Sequence, residues 1–248
     1  MFIFDMIEEN ELKQRRNRRS KLAIERDVIQ AVNSLVEELG FSNVTLTGVA
    51  ERAKIEPAVF YRRYANLDDL FDQYTHKYDY WMGNIAESLP KNSSDEEMFR
   101  YIMQSLAQAL YKNKGMQKLL IWELSDDNAV TRRTSQLREL VNEPLIRLLE
   151  YKFKDSGLDI NVITSIMISG IYYLILHSKR SLFCDVDYST KNGKERLQKG
   201  IEQLCAIVFA QVQHQNDLME IQNRLLAEGV SEEIILKCFQ NKNTNQGN

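Results

Sequence analysis

Apolar residues recur at three- and four-residue steps through most of the chain, the spacing of a single helical face. Ile24, Val28, Ala31, Val32, Leu35 and Leu39 form one such stripe, which predicts a helix over about 20–39 with Ser20 as its cap and Gly40 as its stop. Leu46, Val49, Ala50 and Ala53 predict a short second helix over 46–53, opened by Thr45. A third covers 57–63, with Pro57 in its first turn, where a missing N–H costs nothing. A fourth follows Asn66 over 67–88. The same periodicity predicts helices near 94–112, 114–124 and 129–154, the last kinked or broken at Pro144. Residues 159–179 are apolar on almost every face, so a helix there must be buried all round. Leu197, Ile201, Leu204, Cys205, Val208, Phe209 and Val212 mark another helix over 194–213, and 216–240 reads as two short amphipathic helices parted by Gly229 and Ser231. The many Leu, Ile, Glu, Lys, Arg and Gln favour helices, and the expected class is all-α.

Composition agrees: ten glycines and three prolines in 248 residues argue against a loop-rich β protein. No uninterrupted apolar run reaches membrane-spanning length, and the start "MFIFDMIEEN" lacks the basic opening of an export signal. Cys184, Cys205 and Cys238 have no metal-ligand spacing, so reduced thiols in a cytoplasmic protein are expected, with no metal and no cofactor. Net charge is −3 but unevenly distributed. Residues 13–65 hold eleven Lys or Arg against six Asp or Glu, a basic segment in an acidic chain, the footprint of a polyanion partner. Its densest part, "KQRRNRRSK" (13–21), includes Arg15, Arg16, Arg18 and Arg19 and reads either as a solvated arm or as a phosphate-binding one.

Two short helices joined by a tight turn behind a longer one form a helix-turn-helix. The third helix is then the recognition helix, and the paired Arg62 and Arg63 have a purpose on phosphates or guanine edges. The stretch "ELGFSNVTLTGVAERAKIEPAVFYRRYANLDDLF" (38–71) resembles the TetR/AcrR family of bacterial transcriptional regulators. Gly40-Phe41, Thr45, Val49-Ala50, Ala53, Ile55, Phe60-Tyr61, Tyr64 and Asp69-Leu70-Phe71 fill the family's places without a gap. Lys54 stands where the family has a turn glycine, and Leu67 where it has a phosphate-binding lysine.

The resemblance implies that Glu56, Pro57, Ala58, Val59, Tyr61 and Arg62 face DNA. Tyr61 would give its hydroxyl to a phosphate, Arg62 would meet a base edge, and Arg63 is either a contact or a surface charge. Thr45 and Thr47, at the start of the second helix, favour phosphate. Val59 or Phe60, with Tyr64, would face inward.

The resulting organisation is a basic arm (1–19), a DNA-binding domain (20–66), a helical ligand-binding and dimerisation domain (67–215), and a hairpin with a polar tail (216–248). The resemblance implies a homodimer through the helices near 159–179 and 194–213, a palindromic operator, and a small-molecule pocket. Candidate pocket residues are Phe99, Tyr101, Met103, Met116, Trp122, Met167, Tyr172, Tyr173 and His177, although such residues at helical spacing also simply build cores. The function expected is a repressor released by an effector. The alternative is a DNA-binding regulator controlled by a protein partner at the C-terminal hairpin. No phosphate loop, paired histidines or nucleophile elbow supports an enzyme.

Overall fold

The computed structural model describes residues 20–79, 93–154 and 156–240. The basic arm with its four arginines, the far half of the expected 67–88 helix and the polar tail lie outside the described residues. The chain divides into two compact units, one of Met1–Trp81 with Asn113–Arg138, the other of Met82–Lys112 with Glu139–Asn248. The architecture is all-α.

The first unit begins with α1 (Lys21–Leu39), whose Ser20 hydroxyl accepts from the Ala23 N–H at 3.1 Å. Val28, Ala31, Val32, Leu35 and Val36 are its buried face, and Gly40, at φ 81°, ends it. One 3-10 turn (Phe41–Asn43) carries the chain to α2 (Leu46–Ala53), capped by the Thr45 hydroxyl accepting from Gly48 N–H at 3.1 Å. Next come α3 (Pro57–Tyr61) and α4 (Leu67–Thr75). The third helix is shorter than the sequence suggested, because Arg62 and Arg63 already form the turn leaving it. Among the described residues the fourth is α-helical over Leu67–Thr75 and continues as a 3-10 turn, His76–Tyr78.

Two further helices complete this unit: α6 (Lys114–Ser125) and the opening turns of α7 (Ala129–Phe153). α7 runs unbroken through Pro144, which rules out the break that was one of the two expected outcomes. The proline leaves one carbonyl, on Leu140, without its helical donor, and Leu140 is exposed where water can serve it. The core of the unit is aromatic. Phe41 lies flat on Trp122, with centroids 4.5 Å apart and planes 5° from parallel, and Phe71 packs edge-on to both at 5.3 and 5.4 Å.

The second unit contains α5 (Asp95–Lys112), the rest of α7, α8 (Ile160–His177), α9 (Lys191–Ala227) and α10 (Glu232–Gln240). Phe209 of α9 meets Phe99 of α5 at 6.0 Å and Phe153 of α7 at 5.0 Å. Gly193 lies against the backbone of Asp187 and Tyr188, where an added Cβ would overlap the Asp187 carbonyl at 1.9 Å. Among the described residues α8 is covered at Ile160, Met167, Ile171 and Ile175 and exposed at Val162, Ile166 and Tyr173, which leaves open the face expected to pack on a second copy. With a mean hydropathy of 1.6, α8 is also long and apolar enough to cross a membrane by length and composition. The first of the two expected short C-terminal helices is the end of α9, one helix of 37 residues. The polar run 211–217 does not end it, because polarity without glycine or proline leaves the backbone hydrogen bonds intact.

Candidate nucleic-acid interface

The interface begins with what fixes α3. It has five residues, too few to be stable alone, so side-chain anchors must hold it. Phe60 is 0% and Tyr64 3% exposed, with ring centroids 5.1 Å apart, so Phe60 rather than Val59 is the inward anchor. Pro57 occupies the first turn, and the Glu56 side chain makes no capping bond of its own. The turn before it is closed by Lys54 in the left-handed conformation, φ 54° and ψ 48°. Its N–H reaches the carbonyls of Ala50 and Glu51, and Ile55 N–H donates to Ala50 O at 2.9 Å. A lysine therefore adopts the geometry in which a glycine was expected.

With the anchors inward, Glu56, Pro57, Ala58, Tyr61 and Arg62 are exposed and Val59 half-exposed. Tyr61 is 60% exposed, its ring edge-on to Phe60 at 5.7 Å. Arg63 behaves differently. It is half-buried and its Nη1 donates back to the Val59 carbonyl at 3.2 Å. Thr45 and Thr47 are exposed at the start of α2, where the N-terminal N–H groups favour an anion. The structure thus brings Thr45, Thr47, Tyr61 and Arg62 to solvent from two adjacent helices. At Leu67 the start of α4 carries Asp68 and Asp69 in its first turn. The Asn66 side chain accepts from Asp69 N–H at 2.8 Å, and the Asp69 carboxylate accepts from Ala65 N–H at 2.9 Å, which holds its pKa below the usual carboxylate range.

Two arginines that the sequence did not single out tie the helices of this unit together. Arg52, in the last turn of α2, grips Glu38 of α1 with both nitrogens at 2.8 and 2.9 Å and also donates to Ser34 at 2.6 Å. The guanidinium and Ser34 together hold the Glu38 carboxyl down to about 2. Arg133 of α7 pairs with Asp72 and Asp79 and donates to Thr75 Oγ1 at 2.7 Å, tying α7 to the end of α4. Both are ion pairs between separate helices, and no local motif signals them.

The nine candidate pocket residues are dispersed. Met116 and Trp122 lie in the core of the first unit, where Trp122 is committed to Phe41 and Phe71. The other seven belong to the second unit. Phe99 and Met103 are buried, Tyr101 and Tyr172 half-buried. Tyr173 is exposed and stacks on His177 at 5.2 Å, while His177 Nε2 is 2.8 Å from the Ser181 hydroxyl. Met167 borders an apolar groove of about 510 Å³ between α8 and α9.

A capped helix-turn-helix in α1–α3, followed by an all-α second unit, is the fold of the TetR-family transcriptional regulators. No family model and no curated protein matches the chain. Solved structures do. The fatty acid degradation regulator FadR from Bacillus halodurans aligns at TM-score 0.53 and 14% identity, over 73% of this chain and 97% of its own. The transcriptional regulator FadR from Bacillus subtilis, solved in complex with stearoyl-CoA, aligns at 0.57 and 13%, over 73% and 97%. A TetR-like regulator from Rhodococcus sp. RHA1 gives 0.54 and 15%, over 78% and 99%. At these identities the likeness shows the fold.

Proposed function

We propose that the protein is a dimeric, sequence-specific DNA-binding transcriptional regulator of the TetR/AcrR type, working in the cytoplasm. The observation that carries this reading is the exposed set Thr45, Thr47, Tyr61 and Arg62 on α2 and α3, held by buried Phe60 and Tyr64. α3 enters the major groove, Arg62 reads a base edge, and Tyr61 with the two threonines grips phosphates. Residues 20–66 read the DNA, and the basic arm before them adds charge to the backbone contacts. Two copies related by a two-fold axis place two α3 helices on a palindromic operator. The exposed face of α8, with Leu204 and Ile207 of α9, is the surface through which the copies meet. Repression with release by a small molecule is the mode of action we favour. The Bacillus subtilis neighbour carries a long-chain acyl thioester, and Phe99, Met103 and Met167 give this chain apolar material for such a guest. Selection from a random DNA pool tests the reading. Enrichment of an inverted repeat is expected, and recovery of only unrelated sequences at low salt would overturn it.

A further inference from the structure

The face of α9 turned away from its apolar groove carries charge. A polar groove of about 650 Å³ runs between the second half of α5 and the start of α9, within the second unit. The two helices lie antiparallel along it. Gln104 of α5 donates to the Gln198 carbonyl at 3.3 Å, and Gln198 donates back to the Gln104 carbonyl at 3.3 Å. To one side of this crossing the Lys194 ammonium stands 4.8 Å from the Tyr111 ring centroid, and to the other Arg100 lies 4.0 Å from Glu202. Numbers that rise on α5 fall on α9, so Lys112 comes to the end that holds Lys191 and Lys194.

Three exposed ammonium groups thus line one end of the groove, Lys112 from the last turn of α5, Lys191 and Lys194 from the opening residues of α9. The carboxylates nearby do not balance them. Glu195 is 3.8 Å from Lys191, and the Asp187 carboxylate is taken up by the Ser189 N–H and hydroxyl at 2.9 and 2.6 Å. Among the described residues Lys112 and Lys194 pair with no carboxylate. The first turn of α9 has no acidic residue, and the positive end of a helix repels the lysines placed there. Like charges gathered in this way are relieved by an anion of more than one charge.

The rest of the lining limits what that anion can be. The Tyr111 hydroxyl donates to the Tyr188 carbonyl at 2.9 Å, and Gly193 is seated on the backbone of the same loop, which fixes the end of α5 and the start of α9 against one frame. Beyond the lysines the walls are neutral and polar, with Gln108 exposed and Gln198 about 6 Å past Lys194 along the axis. Glu202 then closes the far end, where it would repel a polyanionic chain running the full length. The fit is to a short guest with its charge at one end. Dimerisation leaves this face alone, because Gly200 of the apolar groove lies about two and a half turns past Lys191, on the opposite side of α9.

We propose that the groove between α5 and α9 binds a small diphosphate ester, its phosphoryl groups among Lys112, Lys191 and Lys194 and its neutral polar body along Gln108 and Gln198. The site does not depend on the DNA reading.

Isothermal titration calorimetry on the full chain, in magnesium-free buffer with 150 mM KCl, tests it with ADP, AMP and methyl diphosphate as probes. ADP should bind at one site per chain. It should bind more tightly than AMP, which lacks the second phosphoryl charge, and more tightly than methyl diphosphate, which lacks the polar body. Lys112→Gln with Lys194→Gln should weaken ADP binding about tenfold. Lys154→Gln with Lys237→Gln removes the same charge elsewhere and should leave ADP binding unchanged. The basic arm is present in every variant, so its own attraction for phosphate cancels from the comparison. Equal ADP affinity in the Lys112 and Lys194 variant, or no binding of any probe at millimolar concentration, overturns the site. Methyl diphosphate binding as tightly as ADP overturns the place given to the neutral body. Weaker DNA binding by the Lys112 and Lys194 variant, with no ADP binding by the native protein, would overturn the proposal and assign the lysines to nucleic acid.

Discussion

Trp122 decides between two roles that the sequence left open. As a pocket residue it could be truncated at little cost to folding. As the structure has it, Trp122 is 5% exposed, stacked on Phe41 and edge-packed by Phe71, all within the first unit. Trp122→Ala removes a buried side chain of the largest size, for which about 3–5 kcal/mol of stability is lost. Each ring pair supplies about 0.5–1.5 kcal/mol of that beyond area burial. With a urea dependence of about 2 kcal/mol per molar, the midpoint should fall by about 2 M. Trp122→Phe keeps a ring against Phe41 and should lose no more than half as much. Equilibrium urea unfolding followed by circular dichroism at 222 nm reads both variants. A cycle pairing Trp122→Leu with Phe41→Leu should return a coupling of about 0.5–1.5 kcal/mol. An unchanged midpoint for Trp122→Ala, or no coupling in the cycle, would refute the core assignment and return Trp122 to the pocket.

Three other expectations can be checked on the same material. Lys54→Gly removes left-handed strain of about 1–2 kcal/mol, less about 0.4–1 kcal/mol for the freer unfolded chain, so a net gain of about 0.5 kcal/mol is expected in urea unfolding; a loss would contradict it. The folded-state pKa of Glu38 is depressed from 4.5 to about 2, so its contribution is complete above the unfolded value and disappears as pH falls from 4.5 toward 2. The gap in melting temperature between the native protein and Glu38→Gln should therefore narrow from pH 6 to pH 3, and a constant gap would show that the Arg52 pair adds nothing. Deleting residues 1–19 should flatten the salt dependence of DNA affinity, since each phosphate neutralised adds about 0.9 to the slope; an unchanged slope would make the arm a solvated tail.

What could be read from the sequence was local. Ser20, Thr45, Asn66 and Gly40 mark helix ends because a cap acts within three residues of itself, and each sits where its signal put it. Pro57 opens α3 for the same reason. The exposed set on α2 and α3 followed, since five residues with two inward aromatics leave few ways to point the rest. What could not be read depended on distant partners. Trp122 looked like any aromatic on a helix until Phe41, far earlier in the chain, was found against it. Arg52 and Arg133 were ordinary charges until Glu38, Asp72 and Asp79 came within reach. Lys54 was ambiguous because a non-glycine residue can enter the left-handed region at modest cost, and only the surrounding backbone selects it. The end of α9 was misjudged because the polar run 211–217 resembled a linker, whereas a helix with solvent on most sides needs few apolar residues there.

The central claim is that α3 reads DNA through its exposed face. Fluorescence anisotropy on the inverted repeat recovered by selection, at one fixed salt concentration, tests it most directly. Arg62→Ala should weaken binding by about 1–3 kcal/mol, roughly 5- to 150-fold, and should relax preference at one base pair per half-site. Arg63→Ala, whose side chain is turned onto its own helix, should change affinity much less. Equal affinity for the native protein and Arg62→Ala, with unchanged base preference, would contradict the account.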